Sequence, residues 1–244
     1  TVQSPFGFLC FSKTQALSPT GAPRTFDQAA DGIAISEGLA VVALKRLADA
    51  ERDGDRVYAV IKAVSGSSDG KALGLTAPRP DGQIRALKRA YAKAGFSPAS
   101  LELFEAHGTG TPVGDKAEAE TITRALRAEG ADANSVALGS VKTLVGHTKA
   151  SAGVAGLIKM ALSLYHRVQP AHYGVDKPID ILAASDSPAY LLKQPRPWVA
   201  SPDHPRRAGV SAFGFGGTNF HAVLEEYVGA QGATAGQDQW PHEL

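Results

Sequence analysis

Two short blocks constrain this chain more than anything else in it: E-A-H-G-T-G-T-P-V-G-D-K-A-E at 105–118 and V-K-T-L-V-G-H-T-K-A-S-A-G-V-A-G-L at 141–157. Each follows a short apolar run, Leu101–Ala106 and Val136–Val141, and each leads into helix-forming sequence. A buried strand, a sharp glycine turn and a helix, repeated, call for an α/β fold with a mainly parallel sheet. Open sheets of that kind bind ligands where strand ends carry polar residues into such turns. Here the strand ends deliver His107, Lys142 and His147. Two imidazoles and an amine presented in this way indicate an enzyme core.

The rest of the chain supports a globular α/β reading. Gly38–Leu44 is near-continuously apolar, as in a strand covered on both faces, and Lys45–Arg52 reads as a short helix stopped by Asp53-Gly54-Asp55. Val57–Val64 is β-rich and is expected to form a central strand that breaks at Ser65. In Gln83–Ala94 the spacing of Ile84, Leu87 and Tyr91 predicts an amphipathic helix ending at Gly95. Helices are also predicted over Asp115–Ala128 and His147–His166, and an edge strand over Ala189–Lys193. Ala208–Ser211 and Phe220–Glu225 flank A-F-G-F-G-G-T-N at 212–219, which predicts an antiparallel pair. Ser12–Asp31 reads as an ordered loop, clamped by Arg24 and Asp27 through a charge-assisted hydrogen bond.

Composition narrows the function classes. At 244 residues the chain can bury a substantial core, as one large domain or two small ones. With 25 basic against 24 acidic residues and no basic run, it has no footprint for nucleic acid. It lacks the run of about 18 apolar residues that a membrane span needs, and no signal peptide is expected. One cysteine excludes an internal disulfide framework and fits a reducing, cytoplasmic compartment. Thr1–Phe11 enters an apolar, buried-looking segment without a lead-in, so the chain is expected to be part of a longer one.

Four blocks, in order, carry a family resemblance: L-S-P-T-G-x-x-R-T-F-D (17–27), E-A-H-G-T-G-T (105–111), G-S-V-K-T-L-V-G-H-T (139–148) and G-F-G-G-T-N (214–219). Over about residues 1–228 the chain resembles β-ketoacyl synthases. C-F-S-K-T-x-A-L-S-P-T-G (10–21), G-H-T-K-A-x-A-G-V-A-G-L-I-K (146–159) and L-x-x-x-H (162–166) are similar to ketosynthase domains of iterative type I polyketide synthases, of the enediyne and polyunsaturated-fatty-acid types. The resemblance implies a thiolase-like layered α-β-α-β-α fold. Residues 1–56 would end its N-terminal half, 57–228 would form its C-terminal half and 229–244 would be a linker.

What the resemblance implies for chemistry is decarboxylative Claisen condensation. The nucleophilic cysteine belongs to a D-T-A-C-S-S-like elbow expected upstream of Thr1; Cys10 has no such elbow and is expected to be a buried bystander. His107 and His147 would hold an enolate oxygen, with His147 kept neutral at a helix N-terminus. Lys142 would pair with Glu118, although Asp115 and Glu118 also read as a D-x-x-E capping box. The Phe215 backbone N–H would complete an oxyanion hole while its ring gates access. Thr109, Thr111, Thr148, Gly216, Gly217 and Asn219 are the candidate substrate or pantetheine contacts.

No metal site is expected, since Cys10, His107 and His147 lack ligand spacing. No dissociable cofactor is expected either, because the phosphopantetheine rides on an acyl carrier protein. The implied partners are that carrier, the missing N-terminal half, a second copy of the complete domain and an adjacent synthase domain. Three other readings stay open. They are a thiolase-like enzyme (for which a second cysteine is wanting), a structural docking fragment, and a non-condensing chain-length or decarboxylase-like subunit. His166, His172, His204, His221 and His242 are expected on the surface or in packing.

Overall fold

The computed structural model describes residues 1–70, 77–214 and 216–229. Eight strands and seven α-helices are described. Helices α1 (Pro5–Lys13) and α2 (Leu47–Asp53) come first, then β1 (Val60–Ser68), α3 (Pro80–Ala94) and β2 (Leu103–Glu105). They are followed by α4 (Pro112–Ala128), β3 (Val136–Gly139), α5 (Lys142–Val145), α6 (Ala152–His166) and β4 (Val168–Gln169). The chain closes with α7 (Asp180–Ala183), β5 (Ala189–Leu191), β6 (Arg196–Pro197), β7 (Arg207–Gly214) and β8 (Thr218–Glu225).

Six strands form one sheet in the order β1-β8-β7-β2-β3-β5. The run β7, β2, β3, β5 is parallel, and β8 joins it antiparallel through the β7–β8 hairpin. Alternation along the strands divides the core between two faces. Phe104, Leu138 and Val223 turn to one side and pack with Leu87, Tyr91, Ile122 and Leu126 of α3 and α4. Leu103, Ala137, Val210 and Leu224 turn to the other and pack with Met160 and Leu164 of α6. A sheet with helices on both faces places the ends of β2 and β3 side by side, and those ends precede His107 and Lys142.

Several expectations are corrected. β1 is not central but lies at the edge of this sheet, and it does not break at Ser65: Ser65–Ser68 continue the ladder with His221–Thr218. Gly38–Leu44 joins no described strand, and Leu39 is 90% exposed. The segment is apolar, but a strand exists only through pairing, and at Gly38 it bonds to Thr1 and Ser151 instead. The first eleven residues are not buried. Most of them lie in α1, which begins at the Ser4 cap and buries no residue, and Cys10 within it is exposed.

Asp27 also differs from expectation. It accepts the backbone N–H groups of Ala29, Asp176 and Lys177, at 2.7–2.8 Å, and so ties the 17–33 loop to residues 176–177. The nearest carboxylate to Arg24 is that of Asp176, at 3.6 Å. The linker expected at 229–244 lies outside the described residues from 230 onward.

Candidate active site

Strand β2 ends at Glu105 and the chain turns at once through His107 and Gly108. Gly108 takes φ +41°, and a Cβ there would sit 2.6 Å from Thr25 Cγ2 and 2.8 Å from Ser140 Cβ. Only glycine permits that approach, which packs the turn after β2 against the turn after β3. The result is one concave site lined by residues of the turn after β2, of the segment that runs from His147 into α6 and of the β7–β8 hairpin. Its volume is about 780 Å³, and its walls include His107, His147, Phe213, Thr109, Thr111 and Asn219. That lies within the size range of small-molecule sites.

The two histidines face one another edge to face, ring centroids 5.6 Å apart, with Phe213 5.8 Å from His107. Burial drives both imidazoles toward the neutral form, aided by the positive charge of Lys142: His107 is held well below its usual range and His147 falls to about 3. His147 does not begin the long helix that the sequence predicts. It lies in an extended bridge with Ile35, one short turn before α6. Its neutrality therefore comes from desolvation and neighbouring cations, not from a helix dipole. Its Nδ1 accepts the Lys149 N–H at 3.0 Å, which puts the ring proton on Nε2.

Lys142 and Glu118 meet the same turn from two sides without forming a direct ion pair. The Lys142 ammonium donates to the His107 carbonyl. The Glu118 carboxylate accepts the backbone N–H groups of His107 and Gly108, each at 2.7 Å. Asp115 accepts those of Phe26, Thr109 and Gly110. The D-x-x-E capping box is not formed, because α4 starts a turn earlier, at Pro112 after Thr111. Both carboxylates are free to hold loop backbone instead. Burial pushes each upward, Asp115 to about 6, against the pull of those N–H groups.

The turn after β3 is held by side chains from elsewhere. Ser140 N–H donates to His172 Nδ1 at 3.3 Å, and His172 Nε2 donates to the Thr25 carbonyl at 2.9 Å. Val141 N–H donates to Glu105, and the Ser140 hydroxyl donates to the Gly108 carbonyl at 3.1 Å. Sequence reasoning does not single out His172, Glu105 or Ser140. For Glu105 a signal exists, since a carboxylate ending a buried strand needs partners.

The remaining candidates separate. The Thr109 and Thr111 hydroxyls lie 3.0 Å apart in the cavity wall. Gly217 and Asn219 also line it, and Asn219 Nδ2 donates to Asp69 at 2.8 Å. Gly216 is exposed and outside the wall. Thr148 is buried beside the cavity, where its carbonyl accepts from Thr1 and Ser151. Phe215 lies outside the described residues. Among the described residues no cluster of three or more His, Cys, Asp or Glu could hold a metal. No described helix is long and apolar enough to cross a membrane.

Known proteins resemble this chain in sequence and in fold. Residues 58–176 match the family "Beta-ketoacyl synthase, C-terminal domain", and residues 1–50 match "Beta-ketoacyl synthase, N-terminal domain". The chain is 46% identical over 224 residues to a polyunsaturated fatty acid synthase of a Thraustochytrium species, covering 90% of this chain and 8% of that protein. It is 45% identical over 223 residues to a phenolphthiocerol/phthiocerol polyketide synthase of Mycobacterium tuberculosis, covering 91% and 12% respectively. A solved ketosynthase from module 6 of the bacillaene synthase of Bacillus subtilis superposes with a TM-score of 0.89 at 36% identity, covering 93% of this chain and 41% of that one. The chain thus spans a small part of these synthases and about two fifths of a solved ketosynthase.

Proposed function

The chain belongs to the β-ketoacyl synthase family, and we propose that it supplies the decarboxylation side of a condensing site that elongates an acyl chain with malonyl units. The observation that carries this reading is the pair of half-buried imidazoles set edge to face in the wall of one cavity, with Lys142 behind them. The nucleophilic cysteine, the acyl carrier protein and the adjoining synthase domains lie outside this chain in this reading. Residues 1–56 complete the N-terminal half of the domain, and 57–228 form its C-terminal half.

The reaction then divides into acyl transfer and, after it, decarboxylation coupled to condensation. A cysteine thiolate attacks the incoming acyl thioester, forms a new C–S bond and expels the carrier thiolate. The malonyl C–C bond next breaks, carbon dioxide leaves, and the electron pair passes into an enolate. The enolate carbon attacks the acyl-cysteine, forming a C–C bond and releasing the cysteine thiolate. His147, held neutral, can donate its Nε2–H to the enolate oxygen as a hydrogen bond without giving it up, because the N–H of a neutral imidazole is too weak an acid to lose its proton to the enolate. His107 contributes the second imidazole. Lys142, Glu118 and Asp115 fix the backbone that carries it. Thr109 and Thr111 offer hydroxyls to a pantetheine arm.

The test separates the two steps in the complete domain. His107→Ala and His147→Ala should abolish carbon dioxide release from a malonyl carrier, while acyl transfer to the cysteine survives in part. Equal loss of both steps with the fold intact would sink this division of labour.

A further inference from the structure

Glu105 and Lys159 form a buried ion pair next to the site that the foregoing mechanism leaves unused. Glu105 Oε2 lies 2.7 Å from Lys159 Nζ, with the two side chains only 2% and 12% exposed. Glu105 Oε1 accepts the Val141 N–H at 2.5 Å. One carboxylate therefore joins the strand that delivers His107, the turn that delivers Lys142 and the helix that follows His147. Two glycines make room for it. A Cβ at Gly156 would fall 2.9 Å from Glu105 Cγ, and one at Gly139 would fall 3.1 Å from Lys159 Nζ.

Stability does not explain such a pair. Removing two charges from water consumes most of what their attraction returns, and well-packed apolar residues often serve a fold equally well. The surrounding face of α6 is itself apolar, with Met160 and Leu164 in the core, so that alternative was open to this sequence.

We propose that Glu105, held in place by Lys159, is a positioning residue of the condensing site: it fixes the Val141 amide at the base of the turn that carries Lys142, and through that turn the ammonium that holds the His107 carbonyl. The inference rests on the reading of the site given above. Lys142 is faced by Glu105 of β2, by Asp115 and Glu118 of α4, by Lys159 of α6 and by the His107 and His147 rings. Burial pulls its ammonium toward deprotonation, and the carboxylates of Glu105, Glu118 and Asp115 resist this. A lysine that turned neutral would lose its charge-assisted bond to the His107 carbonyl, and the imidazole would lose its anchor.

The experiment uses the complete ketosynthase domain carrying Glu105→Gln, Lys159→Met, or both. Glutamine keeps an acceptor for Val141 but removes the charge. Carbon dioxide release from a malonyl carrier, acyl transfer to the cysteine and thermal midpoint are each followed across pH. E105Q should slow decarboxylation by about tenfold or more while acyl transfer stays within about twofold. Its alkaline limb should move to lower pH, since Lys142 then deprotonates more readily. The double variant, which buries no unpaired charge, should regain thermal stability without regaining decarboxylation. Recovery of both together would reduce the pair to a structural part and overturn the proposal, as would decarboxylation indifferent to E105Q. An unsubstituted domain that transfers acyl groups but releases no carbon dioxide would instead overturn the reading of the site, and this role with it.

Discussion

His147 accepts the backbone N–H of Lys149 at Nδ1, two residues further along its own chain, and so presents Nε2–H to the cavity. The tautomer is set locally, by the turn that also bonds His147 to the extended segment at Ala34–Ser36. This gives the two amide surrogates of histidine different consequences. Glutamine places its nitrogen near Nε2, and asparagine near Nδ1. His147→Gln should therefore retain roughly tenfold more decarboxylation than His147→Asn, the scale of one oriented donor. Rates for the two variants that cannot be told apart would remove Nε2–H from the mechanism.

Buried histidines give the fold a pH signature. His221 is fully enclosed, bonded to Tyr91 Oη at 3.0 Å and Ser211 Oγ at 2.9 Å, and burial pulls it to about 3. Its folded value lies below its unfolded one, so the stability it contributes is complete above about 6.5 and is lost as pH falls toward 3. His147 and His172 act in the same direction. Asp115 acts in the opposite one, with a contribution present below 3.8 and lost as pH rises through about 6. Comparing His221→Gln with the unsubstituted protein isolates a single group. Their difference in unfolding free energy should shrink by about 1.4 kcal/mol per pH unit below pH 6.5. Denaturant titrations at pH 7.5 and 5.5 measure it, and parallel stabilities would show that His221 charges freely in the fold.

The two oxygens of Glu118 serve two neighbouring amides, so glutamine is a poor replacement despite its shape. Its –NH₂ group would face a backbone N–H. Glu118→Gln should lower stability by about 1–3 kcal/mol, seen in the thermal midpoint, and should loosen the His107 turn. An unchanged midpoint would mean that one of these bonds is dispensable.

Gly156 offers a test by addition. Alanine in an open helix position gains about 1 kcal/mol over glycine. Here its methyl group would meet Glu105, which is pinned at both oxygens. Gly156→Ala should therefore destabilise, by roughly 1–3 kcal/mol, and a rise in thermal midpoint would show that Glu105 can move aside.

The fold is most legible in the sequence where local chemistry and packing agree. The α3 helix, the β2 and β3 strands with their polar ends, and the β7–β8 hairpin all follow from apolar spacing bounded by glycine. His107 stands out because it follows a buried apolar run directly into a glycine turn, and His147 because it sits between a glycine and an apolar, helix-forming run. What stays illegible depends on partners distant in sequence. An apolar run such as Gly38–Leu44 is equally apolar whether or not another strand lies beside it. The helix expected from His147 onward begins instead at Ala152, because the chain between is drawn into a bridge with Ile35 from far upstream. A Lys142–Glu118 pair follows from opposite charge alone. The backbone amides and carbonyl between them satisfy both groups separately.

The space over Gly156 is occupied by Glu105 and that beside Gly139 by Lys159. These four positions should therefore vary as a set among related chains. A side chain appearing at position 156 should be accompanied by a shorter residue at 105, and the loss of the acid at 105 by the loss of the base at 159. Descent would then keep a record of the contact, readable by counting which pairs of letters never occur together.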